Sequence, residues 1–144
     1  MPHGPVQMQA AVSSVVTADA WAKLAAAATT TIATKLMTGQ NLGDQLLGSF
    51  IQYGGMAVLS EELSDLIAPR VEALLEPILG PKDAAWQCYV VRAGLAGGYV
   101  SGVSMLAGQP FDLRIFGAAA LGAVVANYVW SMQMAKFSGS GASY

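Results

Sequence analysis

The stretch "IFGAAALGAVVANYVWSMQMA", residues 115–135, runs 21 residues without a charge and closes at Lys136. Coiled as an α-helix at about 1.5 Å per residue, it matches the roughly 30 Å hydrocarbon core of a bilayer. It reads as a transmembrane helix, and no other feature of the chain narrows the fold as far.

Its partner precedes it. Residues 84–108, "AAWQCYVVRAGLAGGYVSGVSMLAG", form an apolar helix interrupted only by Arg92, and Gly108, Gln109 and Pro110 then supply stop and turn signals. A link as short as "GQPFD" makes the two helices antiparallel neighbours. The aromatic residues agree with that arrangement. Trp86 and Tyr89 open the first helix while Tyr128 and Trp130 close the second, so a hairpin gathers all four into an interfacial belt. Phe111 and Phe116 fall at the turn end. Arg92 and Lys136 join the belt as interfacial anchors, and Lys82 lies at the same end, against Arg114 alone at the turn. The positive-inside rule turns the belt toward the cytoplasmic or equivalent side. Arg92 itself is expected to snorkel to headgroups or to pair with a carboxylate such as Asp83, with no deeper charge to relay to.

Glycine recurs at Gly94, Gly98 and Gly102, every fourth position of the first helix. Each would cost about 0.5–1 kcal/mol against alanine in a soluble helix, so the pattern calls for a reason. Positions four apart share a face, and lipid gives helices no hydrophobic drive to associate, so close approach through small residues takes over. The second helix offers Ala118, Gly122 and Ala126 at the same spacing. The two stripes are expected to pack on each other or on a neighbouring chain, and a pore of identical chains built on a glycine zipper is the sharper version.

The first half of the chain is milder. Residues 1–16, with Pro2 and Pro5, read as an irregular arm. Residues 17–60 form an N-terminal helical region, membrane-embedded or interfacial. Its first helix covers Thr17 to Met37, capped at Thr17 or Asp19, and spans a bilayer only if Lys23 and Lys35 snorkel outward. After "TGQNLGDQ", residues 45–60 are charge-free but short and carry the Gly54-Gly55 pair; a tilted helix, a re-entrant segment and a buried core helix all fit. Residues 61–81 read as an amphipathic surface helix that Pro69 and Pro77 kink or divide. Leu63, Leu66, Ile67, Val71, Leu74, Leu75 and Ile78 share one face. Glu61, Glu62, Asp65, Glu72 and Glu76 lie largely on the other, as a solvated face or a dock for a basic partner. The hairpin region occupies 82–136, and 137–144 is a Gly/Ser-rich tail.

Chemistry is what the sequence lacks. Only 11% of residues are charged, the net charge is −2, and the seven Lys and Arg form no basic stripe, which argues against nucleic acid. His3 stands alone in the arm and Cys88 is the only cysteine, so neither a His-based catalytic site nor a His/Cys metal site can be assembled. Cys88 is expected in the core, and Met132 and Met134 as packing. No cofactor is implied and no enzyme is expected. The N-terminus lacks the positive region of a secretory signal, so insertion is expected to use an internal segment.

The expectation is an all-α integral membrane protein with a C-terminal transmembrane hairpin. Its partners are the lipid bilayer and other subunits, with a homo-oligomer open. The function expected is that of a structural or accessory subunit of an organellar or bacterial membrane complex, or of the internal membrane of a virus particle. A holin-like glycine-zipper pore and a soluble helical interaction protein are the alternatives.

Overall fold

The computed structural model describes residues 5–79 and 85–137, and every regular element among them is helical. His3, Lys82, Asp83 and the Gly/Ser tail beyond Phe137 lie outside the described residues. Helix α1 covers Pro5–Met37. A short α2 (Leu46–Ser49) runs through a π-helical turn (Phe50–Gly54) into α3 (Gly55–Leu79). Helices α4 (Ala85–Leu106) and α5 (Leu113–Phe137) complete the chain.

The helices form a ring in which α1 packs on α5, α5 on α4, α4 on α3 and α3 on α1, with α1–α5 the most extensive contact. Directions alternate around it. Arg92 in the first half of α4 meets Asp65 near the middle of α3, while Met56 at the start of α3 packs against the cluster that holds Val100, further along α4. Ala22 and Ala26 of α1 join Ala57 of α3 and Ala126 of α5 in one cluster. The described residues thus make an up-down-up-down four-helix bundle.

Several boundaries differ from expectation. Helix α1 covers Pro5–Met37, so residues 5–16 of the stretch read as an irregular arm are helical. The segment 45–60 is neither re-entrant nor separate. It is the first part of one rod that continues through the Gly54-Gly55 pair to Leu79. Gly54 serves packing, since a Cβ there would sit 3.2 Å from that of Ala27, whereas a Cβ on Gly55 would meet nothing within 4 Å. Nor do the prolines divide α3, which contains both Pro69 and Pro77. Each removes one intrahelical bond, and the surrounding helix carries on.

The distribution of side-chain size is inverted relative to a water-soluble bundle. The interior is alanine with serine and threonine, including Ala18, Ala22, Ala26, Ala118, Ala123, Thr30, Ser60 and Ser64. The bulky aliphatics point out, with Leu66 74%, Leu74 78% and Leu106 90% exposed. Helix α3 shows the inversion most clearly. Of its acidic face, Glu62, Asp65 and Glu76 are exposed as expected, but Glu61 is buried beside Ser60, Ser64 and Ala68, whereas Leu63, Leu66, Leu74 and Ile78 of its apolar face are exposed. Small residues let helix backbones approach closely, and that approach replaces bulk as the source of contact.

Two helices end in the same device. Gly39 (φ +75) and Gly108 (φ +93) adopt left-handed backbone. The N–H of Gly39 donates to the Leu36 carbonyl and that of Gln40 to Lys35, while Gly108 and Gln109 donate to Met105 and Ser104. These are Schellman closures. Alanine at either position is expected to cost about 1–2 kcal/mol, because an L side chain in this conformation crowds the following carbonyl. Gly98→Ala, in open helix interior, is expected to gain a few tenths through helix propensity, up to about 1 kcal/mol. Equilibrium unfolding of the three variants checks the difference in sign.

Lys35 closes α1 from within. It does not snorkel: only 1% of it is exposed, and its Nζ donates to the carbonyl oxygens of Asn41 (3.2 Å) and Asp44. At the other turn, Asp112 caps α5 by accepting the Arg114 backbone N–H at 2.9 Å. The Arg114 side chain also donates to it at 2.8 and 3.0 Å, and that bonding holds the carboxyl below its usual range.

Candidate functional site

Small residues occupy the helix contacts, but not the glycines that periodicity singles out. A Cβ on Gly94, Gly98 or Gly102 would meet nothing within 4 Å, and Gly94 and Gly98 are exposed. The stripe does not face α5. The α4 face that does carries Ala96, Gly97 and Val100, and the Phe116 ring lies over Gly97, 2.7 Å from where a Cβ would be. Adjacent residues of a helix differ by about 100° in direction, so choosing Gly98 in place of Gly97 turns the contact to the wrong side.

Helix α5 uses two stripes. Ile115, Ala119 and Ala123 pack on α4. Ala118, Gly122 and Ala126, expected to meet the α4 glycines, lie one position away. Ala126 packs with Ala22 and Ala26 of α1, and Gly122 takes the hydroxyl of Thr30 and the carbonyl of Ala26 against its bare Cα. Ala118, a turn earlier on that face, is fully buried.

Toward the end of the bundle that holds Trp86 and Trp130, charges from three helices meet. Lys23 on α1 bridges Asp19, four residues back, at 2.6 Å and Glu62 on α3. Arg92 on α4 donates to Asp65 at 2.8 Å and lies 3.9 Å from Glu61. Arg92 therefore pairs with a carboxylate, as one alternative expected, but with Asp65 rather than Asp83, and it is one of six charged groups in the layer. Lys23, expected to snorkel, is tied into the same layer.

Of the acidic residues proposed as a docking face, Glu61, Glu62 and Asp65 belong to this layer. Glu76 is exposed and Glu72 half-buried. Among the described residues, no three His, Cys, Asp or Glu side chains converge as a metal site. The periodicity of α3 alone could not reveal the layer, since every pairing but Lys23–Asp19 joins residues at least 27 apart.

A cavity of about 410 Å³ opens against this layer. All four long helices line it: Asp19 and Val16 from α1, Glu61 and Asp65 from α3, Cys88 and Arg92 from α4, and Asn127 and Trp130 from α5. Cys88, expected in the core, is half-buried on its wall, with the Asn127 amide donating to Sγ at 3.6 Å. Sequence reasoning missed Asp19, Asn127 and Cys88 as parts of one site, because nothing local links them.

The expected belt residues lie at this end too. Trp86, Tyr128 and Trp130 are exposed, Tyr89 is half-buried, and Lys136 is exposed near the end of α5. Among the described residues one helix, over Leu113–Lys136, is long and apolar enough to cross a membrane, a property that core helices of soluble proteins share. Compared with protein-family models, curated proteins and solved structures, the chain matches none.

Proposed function

We propose that this chain is a membrane-embedded, non-enzymatic structural subunit that contributes helix packing to a larger assembly. The carrying observation is the inverted distribution of size, small residues within and most leucines and the three tryptophans without. In water an outer surface so apolar would demand a cover. In lipid it is the ordinary outer surface of a helix bundle, and a small-residue interior is how helices associate there. The α4–α5 hairpin is the spanning element of this reading. It carries Arg92 because α3 supplies Asp65 and Glu61 as partners.

The outward turn of Gly94, Gly98 and Gly102 favours a second reading, a homo-oligomer joined along that stripe. A pore would have to form between chains, because Ala22, Ala26, Ala57 and Ala126 fill the middle of a single bundle.

Alkaline carbonate washing of membranes from cells expressing the full chain tests the proposal. The protein is expected to stay in the pellet and to need detergent for release. Quantitative release without detergent would overturn the membrane reading and leave a soluble interaction protein. Sizing the extracted particle then separates a mixed assembly from a ring of this chain alone.

A further inference from the structure

The cavity between the four helices carries an unbalanced charge. Asp19, Glu61, Glu62 and Asp65 bring four carboxyl groups to the layer and Lys23 and Arg92 two cations, an excess of one to two negative charges at neutral pH, because burial pushes the Glu61 carboxyl up to about 7. The excess is not spread evenly. Asp19 and Glu62 share Lys23, and Asp65 holds Arg92 at 2.8 Å. Glu61 makes no hydrogen bond among the described residues. Its side chain is only 9% exposed, its nearest cation is Arg92 at 3.9 Å, and it lines the cavity. A buried carboxylate without hydrogen-bonding partners is costly, and a ligand that donates to it removes that cost.

The rest of the wall describes the ligand. Val15, Val16, Ala22 and Ala126 make part of the lining apolar, and Trp130, a residue type whose ring attracts cations, lines it too. Convergent metal ligands are missing among the described residues. The volume lies within the roughly 300–1,000 Å³ typical of small-ligand sites.

We propose that this cavity binds a primary alkylammonium group, its N–H donors directed to Glu61 and Asp19 and its alkyl portion lying against Val15, Val16 and Trp130. A primary ammonium supplies three donors, which a quaternary one lacks. The group can come from a free amine or from an aminophospholipid headgroup.

Titration calorimetry of the full chain in maltoside micelles, with n-butylammonium as the probe and butyrate as the control, tests this. Saturable binding of butylammonium, none of butyrate, and about a tenfold loss of affinity in Glu61→Gln are expected, in line with one charge-assisted hydrogen bond. Asp19→Asn provides the same test with a smaller loss should Glu61→Gln fail to fold. Equal binding of both probes, no saturable binding, or affinity unchanged in the variants would overturn the proposal. Nanodiscs distinguish the sources. Weaker butylammonium binding in phosphatidylethanolamine than in phosphatidylcholine identifies the headgroup as the resident ligand, and equal binding identifies a free amine.

Discussion

Gly122→Leu is expected to abolish the α1–α5 contact and cost the bundle about 3 kcal/mol or more, at the upper end of what overpacking does. A Cβ at this position would lie 2.1 Å from Thr30 Oγ1, 3.4 Å from Thr30 Cβ and 3.1 Å from the Ala26 carbonyl oxygen. The hydroxyl can rotate away, but the carbonyl belongs to the α1 backbone and moves only if the helices separate. Because α1–α5 is the most extensive contact in the molecule, separation there removes more than one site's packing. Gly122→Ala should cost less than leucine, and Thr30→Ala beside it should restore part of the loss by removing the nearest atom. Gly98→Leu makes the opposite case: nothing lies within 4 Å of the added Cβ, so the isolated bundle should keep its stability. Unfolding in detergent, followed by circular dichroism, ranks the variants. A Gly122→Leu chain as stable as wild type would mean that α1 and α5 do not pack as described.

That contrast also shows where sequence reasoning holds and where it fails. The helical character of the chain and the α4–α5 hairpin were legible, because a charge-free run, a short link and glycine stop signals are local properties. Small residues as packing positions were legible as well, and Ala118, Gly122 and Ala126 do lie in a helix contact. Which helix they meet was not. Two small stripes on α5 lie about 100° apart, and only the ring order of the bundle assigns one to α1 and the other to α4. Gly97 and Gly98 are adjacent, so spacing alone cannot say which faces a neighbour. Helix α3 misled for a deeper reason. Amphipathic periodicity gives the axis along which polarity changes, but it does not by itself say that the apolar side faces the core. Here Ser60, Glu61 and Ser64 face the core and Leu66 and Leu74 face out. The charged layer needed still more: Glu61, Arg92 and Lys23 become one feature only after three helices are packed.

Within that layer Arg92→Leu is expected to destabilise the bundle by about 1–3 kcal/mol, less than loss of a fully buried pair costs, because Asp65 is 46% exposed and Glu61, whose carboxyl burial pushes up to about 7, can take up a proton. The guanidinium is mostly buried and serves two carboxylates of α3. Once it is gone, Asp65, 46% exposed, can take up water, whereas Glu61 at 9% cannot. Nearly all the cost therefore falls on Glu61, and this yields a sharper expectation than the single variant. Adding Glu61→Gln removes the carboxyl that must otherwise take up a proton, so the double variant should recover about 0.5–1 kcal/mol at neutral pH and more at higher pH. Arg92→Lys should recover most of the loss, because a single nitrogen, Nη1, meets both carboxylates and an ammonium can take its place. Lys23→Ala is expected to cost at most about 1 kcal/mol, because Asp19 and Glu62 are 41% and 58% exposed and can be hydrated. A thermodynamic cycle over Arg92 and Glu61, measured by denaturant unfolding in detergent, checks the series. Strict additivity of the two substitutions would show that they do not share one buried site, and the layer would then be two separate surface pairs. Positive coupling confined to Arg92 and Glu61, with Lys23 independent, would locate the buried electrostatic strain of the bundle at the wall of its cavity.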